Sequence, residues 1–354
     1  MLPDEVMETA RAEMLNYDGT GMSVMELNPG GPEFLDILTC AENKLRSIMN
    51  IPQNYKILFL QGGATTQFSA IPLNLLSEHR CADYVLSGLF SKKASIEAKK
   101  YGDIAIAAST AGAMPTFSTV PDVKENDIRP DADYVHICYN NTVYGTRFAE
   151  PPSTGSIPLV ADMTTCILSE PVDVSKFALI YASAQANIGI SGLTVVIIRD
   201  DLIGNARRDT PTMLDYKVLL QNKSAYNTPP CWSIYIAKLV FEWIESIGGL
   251  EEMKRRNEKK ASLIYDYLDN QSYYTSPVDK KCRSMTNVVF VTGDDKLDKK
   301  FAKEAAEIGL KNLEGHGSIG GIRASIYNAM PYEGVQKLVK FMEDFRCENP
   351  KFDT

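Results

Sequence analysis

No stretch of this chain is apolar enough for long enough to cross a bilayer, and its first residues show no charged-then-apolar leader pattern. Both points argue against a membrane-embedded or secreted protein. Cysteine is present but never in a Cys-x-x-Cys pair: Cys40, Cys81, Cys138, Cys166, Cys231, Cys282 and Cys347 are scattered. That pattern argues against a disulfide frame or a zinc site, and for reduced thiols in a cytoplasmic protein with no metal centre. Surplus positive charge is also missing. A formal net charge of −8 argues against nucleic acid or an anionic membrane as a bulk partner, leaving room only for a local basic pocket. Internal repeats and low-complexity linkers are absent.

What remains is ordinary for a globular chain, with 44% hydrophobic and 23% charged residues. At 354 residues it can bury a large core and should form two lobes. Leu2-Pro3-Asp4-Glu5 predicts a helix start, with Val6, Ala10 and Met14 following at helical spacing. The loop over 16–32 is rich in Gly and Asn and long enough to suggest function. Phe34, Leu38, Ala41, Leu45 and Ile48 mark a second amphipathic helix. Strands are expected at 56–60, 83–87, 104–108, 134–138 and 157–162, with helices from Gln67 and over 91–101. Such interleaving argues for an α/β fold with a mostly parallel sheet.

After Asn227-Thr228-Pro229-Pro230 the character changes. Helices are expected over 232–247 and 250–268, the second carrying the run Lys254-Arg255-Arg256-Asn257-Glu258-Lys259-Lys260, which reads as a solvated face. A strand at 287–291, helices near 297–308 and 333–345, and an apolar stretch at 322–326 complete a smaller α+β unit. The expected division is a large domain over 15–248 and a small one over 249–354, with helix 1–14 packed on the small one.

Two stretches look suited to a ligand. Gln61-Gly62-Gly63-Ala64-Thr65-Thr66 lies between a strand and a helix, where free backbone N–H groups and a positive helix end can hold a phosphate. By itself it is equally a tight βα turn. Residues 176–196 hold a buried-type strand, a turn of small residues through Gly189 and Gly192, and a second apolar strand. Small residues at a strand end permit close approach, and α/β sheets bind ligands there.

Within this stretch, Ala182-Ser183-Ala184-Gln185-Ala186-Asn187-Ile188-Gly189-Ile190-Ser191-Gly192 resembles the cofactor-lysine segment of phosphoserine aminotransferases, Ala-Gly-x-Gln-Lys-Asn-x-Gly-x-x-Gly. The resemblance runs nearly end to end, through Ser23-Val24-Met25-Glu26, Gln61-Gly62-Gly63, Ala70-Ile71-Pro72-Leu73-Asn74-Leu75, Ala82-Asp83-Tyr84-Val85, Asn227-Thr228-Pro229-Pro230 and Arg323-Ala324-Ser325-Ile326-Tyr327-Asn328-Ala329-Met330-Pro331. It implies a fold-type I homodimer with shared active sites that uses pyridoxal phosphate. The family's reaction, in serine biosynthesis, moves an amino group between glutamate and 3-phosphohydroxypyruvate. By the same resemblance Ala64 and Thr65 cradle the cofactor phosphate, Gln185 contacts it, and Asn227 and Thr228 reach the second subunit's cofactor. Phe90 takes the place of the aromatic stacked on the pyridine ring, Thr142 places a hydroxyl beside it, and Asp162 sits beneath its nitrogen, where an anion keeps that nitrogen protonated. Arg323 matches the arginine that holds the substrate carboxylate.

The departures are as informative. Ala186 stands at the lysine position, and a methyl group can neither attach the cofactor nor carry a proton. Where the family has His-Arg, this chain has Pro29-Gly30; where it has Gly-His-Arg, this chain has Gly315-His316-Gly317. Those arginines belong to the substrate-phosphate pocket, and His316 is a poor replacement. The family's short Asn-Phe-x-x-Gly-Pro lead is not found ahead of Met1-Leu2-Pro3, which implies a thinner rim. Three outcomes stay open: an aminotransferase, for phosphoserine or for an unphosphorylated substrate, crippled by Ala186 through natural loss or engineered substitution; a non-catalytic holder of pyridoxal or pyridoxamine phosphate; and a cofactor-free structural dimer.

Overall fold

The computed structural model describes residues 1–317 and 319–351. In chain order the elements are α1 (Asp4–Ala12), α2 (Pro32–Ile48), β1 (Tyr55–Leu60), α3 (Gly63–Leu75), β2 (Cys81–Leu86), α4 (Leu89–Ala98), β3 (Asp103–Ser109), β4 (Val135–Cys138), β5 (Asn140–Asn141), β6 (Thr146–Arg147), β7 (Leu159–Asp162), β8 (Leu179–Ser183) and β9 (Thr194–Arg199). They continue as α5 (Tyr216–Gln221), α6 (Cys231–Ser246), α7 (Gly249–Asp269), β10 (Asn287–Phe290), α8 (Asp295–Glu307), β11 (Ile322–Ser325) and α9 (Tyr332–Glu348).

Seven strands form one sheet in the order β1-β9-β8-β7-β4-β2-β3. β2, β3, β4, β7 and β8 run parallel, and β9 pairs antiparallel with both β8 and β1. The sheet is therefore mixed but mostly parallel. Both of its faces are covered, as its continuous apolar strands require. In β8, Ile180 and Ala182 join a core with α2 and α6, while Leu179 and Tyr181 face the opposite core with α3, α4 and α5. The alternation is the two-residue repeat of a strand, used to bind two helical layers at once.

The smaller unit is α+β: β10 and β11 pair antiparallel, Asn287 opposite Ser325 and Val289 opposite Arg323, under α7, α8 and α9. Its core is aromatic, with Phe301 in edge contact with Tyr274, Phe290, Phe341 and Phe345.

The structure departs from expectation in three places. α1 does not pack on the small unit's core; Val6 and Ala10 join the large core with α6. The boundary at 248/249 is not where the cores part, because α7 gives Leu250 and Met253 to the large core and Ala261, Ile264 and Leu268 to the small one. Last, the charged run on α7 is not wholly solvated: Asn257 and Lys260 are buried on the stripe that faces inward. Their side chains find polar partners at the lobe junction, which a residue-by-residue charge pattern does not reveal.

Candidate cofactor site

After β1 the chain turns through Gly62 and Gly63 with φ of 94° and 68°. A Cβ on Gly62 would lie 2.1 Å from Thr66 Oγ1, so both backbone and space demand glycine. α3 therefore begins at Gly63 rather than Gln67, and its first-turn N–H groups have no carbonyl one turn back. With the helix dipole they make a seat for an anion. Ala64 and Thr65 stand in that first turn. Ser183, at the end of β8, reaches the same corner: its Oγ lies 3.5 Å from the place of a Gly63 Cβ, and it donates to the side-chain carbonyl of Gln185.

Asp162 ends β7 and is 4% exposed. Its Oδ1 accepts the Thr164 N–H at 2.9 Å, and the hydroxyls of Thr164 and Tyr181 also favour its charged form. Burial outweighs them and pushes the carboxyl above the usual range. None of these partners is a cation. The Tyr181 hydroxyl lies 2.8 Å from His136 Nε2, and burial pushes His136 down to about 3, so the imidazole is neutral at pH 7. A buried acid with donors around it and no cation beside it among the described residues is suited to a protonated ring nitrogen, which would supply the missing charge.

The hairpin β5–β6 sets Thr142, whose hydroxyl donates to Thr165 Oγ1 at 3.0 Å, next to the Asp162 turn. Gly88 brings the start of α4 against this hairpin; a Cβ there would fall 2.5 Å from Asn141 Oδ1. Phe90 is half-buried at the second position of α4, with the Lys93 ammonium 5.6 Å from its ring centroid. Ala186 is 5% exposed in the turn after β8.

Arg323 comes from the small unit, on β11, and its buried Nε has no hydrogen-bond partner among the described residues. Such an orphan donor calls for an anion. Its strand is tied to the Asp162 region through side chains: Asn287 donates to Ser325 Oγ at 3.1 Å and Tyr327 Oη at 3.2 Å, Asn140 donates to Asn287 Oδ1 at 2.9 Å and to Thr165 Oγ1 at 2.7 Å. His316 is half-buried in a turn whose carbonyl accepts the N–H groups of Ile319 and Gly320, both at 2.9 Å. Gly30 and Gly317 are exposed. Asn227 and Thr228 are also exposed, and within one chain Thr228 O accepts from Gln61 Nε2 at 3.0 Å, at the outer edge of the phosphate corner.

The structure thus gathers Ala64, Thr65, Gln185, Thr142, Asp162, Phe90 and Ala186 at the C-terminal strand ends. Sequence reasoning passed over Ser183, Thr164 and Tyr181. The two-residue alternation of β8 could have found Tyr181 and Ser183, since it turns both toward the face that Asp162 occupies.

A helix start suited to an anion, a buried carboxylate and an arginine Nε without a partner among the described residues are features suited to pyridoxal phosphate and a carboxylate. The Aminotransferase class-V family profile matches residues 1–338, and the chain belongs to that family, whose cofactor is pyridoxal 5′-phosphate. It is 49% identical over 349 residues to the phosphoserine aminotransferase of Bacillus cereus, covering 99% of this chain and 96% of that one. Among solved structures, the phosphoserine aminotransferase of Bacillus circulans subsp. alkalophilus superposes with a TM-score of 0.95 at 44% identity, over 98% of this chain and 96% of that one. The pyridoxal-phosphate-bound phosphoserine aminotransferase of Trichomonas vaginalis gives 0.90 at 36% identity, over 97% of both.

Proposed function

We propose that this chain binds pyridoxal phosphate, or its pyridoxamine form, together with the α-carboxylate of a small amino acid or 2-oxo acid. As written, it performs the amino transfer of its phosphoserine aminotransferase relatives at a small fraction of their rate. The observation that carries this reading is Ala186, buried in the turn after β8 beside Gln185 and Asn187.

Pyridoxal phosphate, when bound, supplies an electron-accepting ring that stabilises the charge left as an amino acid loses its Cα proton. The protein's part is to hold and orient. The N–H groups of Ala64 and Thr65, with Ser183 and Gln185, take the phosphate. Phe90 covers the ring, with less area than an indole would give. Thr142 offers a hydroxyl at the ring edge, and Asp162 holds the proton at the ring nitrogen. Arg323 grips the carboxylate as a planar fork.

The carrier of the Cα proton is what the site lacks. The Ala186 methyl can neither accept nor return it, and the loss of a positioned base costs ~10²–10⁴-fold in rate. Losing the lysine's covalent exchange with the substrate amine adds to that. Pro29, Gly30 and Gly317 also offer no side-chain cation to a substrate phosphate, whose burial without a balancing charge is costly. The same absences favour a second reading, a non-catalytic holder of the cofactor for a partner or as a sensor.

The assembly that goes with this reading is a homodimer whose exposed Asn227 and Thr228 serve the second subunit's cofactor. The test is titration of the apoprotein with pyridoxal phosphate by absorbance, followed by dialysis and single-turnover assays with amino acids. Reversible binding with slow but measurable turnover supports the reading. No binding, or turnover at rates ordinary for enzymes, overturns it. Complete absence of turnover selects the second reading.

A further inference from the structure

The cofactor turn, the strand of Arg323 and helix α7 meet in a buried polar network that the chemistry above does not use. The backbone N–H of Asn328 donates to Asn187 Oδ1 at 3.0 Å, and its side-chain amide donates to Leu168 O at 2.8 Å. Asn187, next to Ala186, donates to Ile167 O at 2.9 Å. From α7, Asn257 donates to Ser169 O at 2.9 Å and to Asn328 Oδ1 at 2.8 Å. One turn further on, Lys260 is 2% exposed, and its ammonium donates to three successive carbonyls, those of Ile326 (3.2 Å), Tyr327 (2.8 Å) and Asn328 (3.3 Å).

Those carbonyls lie where the chain leaves β11 and strand pairing gives way; Tyr327 O also accepts the Met330 N–H at 2.9 Å, while those of Ile326 and Asn328 turn to the side chain. Neutral groups could serve. A buried ammonium is a costly way to do it, since desolvation opposes the charge and no carboxylate is among its hydrogen-bond partners. What the ammonium adds is convergence: one atom fixes three consecutive peptide groups at once. Just upstream, on β11, stands Arg323, whose Nε has no partner among the described residues and whose usefulness depends on where the strand holds it.

We propose that Lys260 and Asn257 are positioning residues for the carboxylate grip. By fixing residues 326–328 against the 167–169 and 187 turns, they set the place of Arg323 relative to the cofactor turn. The proposal rests on the reading that pyridoxal phosphate and a carboxylate share this site. A bidentate guanidinium–carboxylate pair tolerates little displacement, and a shift near 1 Å can cost as much as ~10²-fold.

The test uses the full chain loaded with pyridoxal phosphate and titrated with glutarate as a carboxylate probe, by calorimetry. Lys260→Met and Asn257→Leu should each weaken glutarate binding about tenfold or more, while pyridoxal phosphate affinity stays within about threefold. The double variant should lose less than the sum of the two, because both act through one network. Should Lys260→Met fail to fold, Asn257→Leu carries the test, since it removes two donors and no charge. Unchanged glutarate affinity overturns the proposal. So does a parallel loss of both ligands, which would mark the network as general scaffolding. Wild-type protein that binds neither ligand refutes the functional reading, and the network's role falls with it.

Discussion

The side-chain carbonyl of Asn187 accepts the backbone N–H of Asn328 at 3.0 Å, across 141 positions of sequence. The residue after Ala186 is thus fastened to the segment that follows the Arg323 strand. Two parts of one site, contributed by different lobes, share a hydrogen bond.

The side-chain bonds of Asn328 beside it should register in stability. Asn328→Leu keeps the volume but leaves Leu168 O and the Asn257 amide without their partner. Each stranded buried group costs about 1–3 kcal/mol, so urea unfolding should show a loss of roughly 2–6 kcal/mol. A loss below about 0.5 kcal/mol, the size of an ordinary surface change, would mean that the network relaxes freely.

Lys260 gives a pH signature. Burial, with help from Arg256, lowers it from 10.5 to about 7. Between those values the folded chain binds fewer protons than the unfolded chain, so this group makes stability rise with pH across that window. Below about 7 its full penalty is present, on the order of a few kcal/mol. Urea midpoints at pH 7 and pH 9.5 should therefore differ for the wild type, and Lys260→Met should lose the rise. A variant that keeps the same slope would assign it to other groups.

The large-domain half of the site was legible in sequence because it is local. Gln61–Thr66, the Leu-Val-Ala-Asp strand end and the turn before Asn187 each announce a strand end with small or polar residues, and the sheet brings strand ends together. Lys260 and Asn257 were not legible, since they hide inside a charge run that reads as a solvated face. The stripe Leu250, Met253, Asn257, Lys260, Ile264, Leu268 was the available signal: it has the helical period of a buried face with two polar members. α1 was misassigned for a related reason. Its apolar stripe shows that a face is buried without saying against which partner.

Asp162 should govern cofactor affinity. Asp162→Ala removes the anion opposite the ring nitrogen, and pyridoxal phosphate binding should weaken about tenfold or more, equivalent to roughly 1.4 kcal/mol. Because burial raises the Asp162 carboxyl, wild-type affinity should begin to fall on acidification at a higher pH than an ordinary carboxylate would give, and the variant should lack that limb. Equal affinities at pH 7.5 would remove Asp162 from the binding set.

Restoring the lysine should separate the two departures from the family. Ala186→Lys should recover covalent attachment of the cofactor and amino transfer, since Asp162, Gln185 and Arg323 remain in place. Phosphoserine should still be handled poorly, because Gly30 and Gly317 provide no cation for its phosphate. Half-reaction kinetics with glutamate, serine, alanine and phosphoserine should show unphosphorylated amino acids processed as well as phosphoserine or better. Clear preference for phosphoserine would show that other residues hold the phosphate.

The most direct measurement is the intact mass of the wild-type chain after loading with pyridoxal phosphate in amine-free buffer and reduction with borohydride. If Ala186 leaves the cofactor held without a covalent link, the mass stays that of the polypeptide alone and dialysis removes the chromophore. One added reduced cofactor per chain, mapped to a single lysine, would show that another side chain has taken the vacant role and would contradict the account.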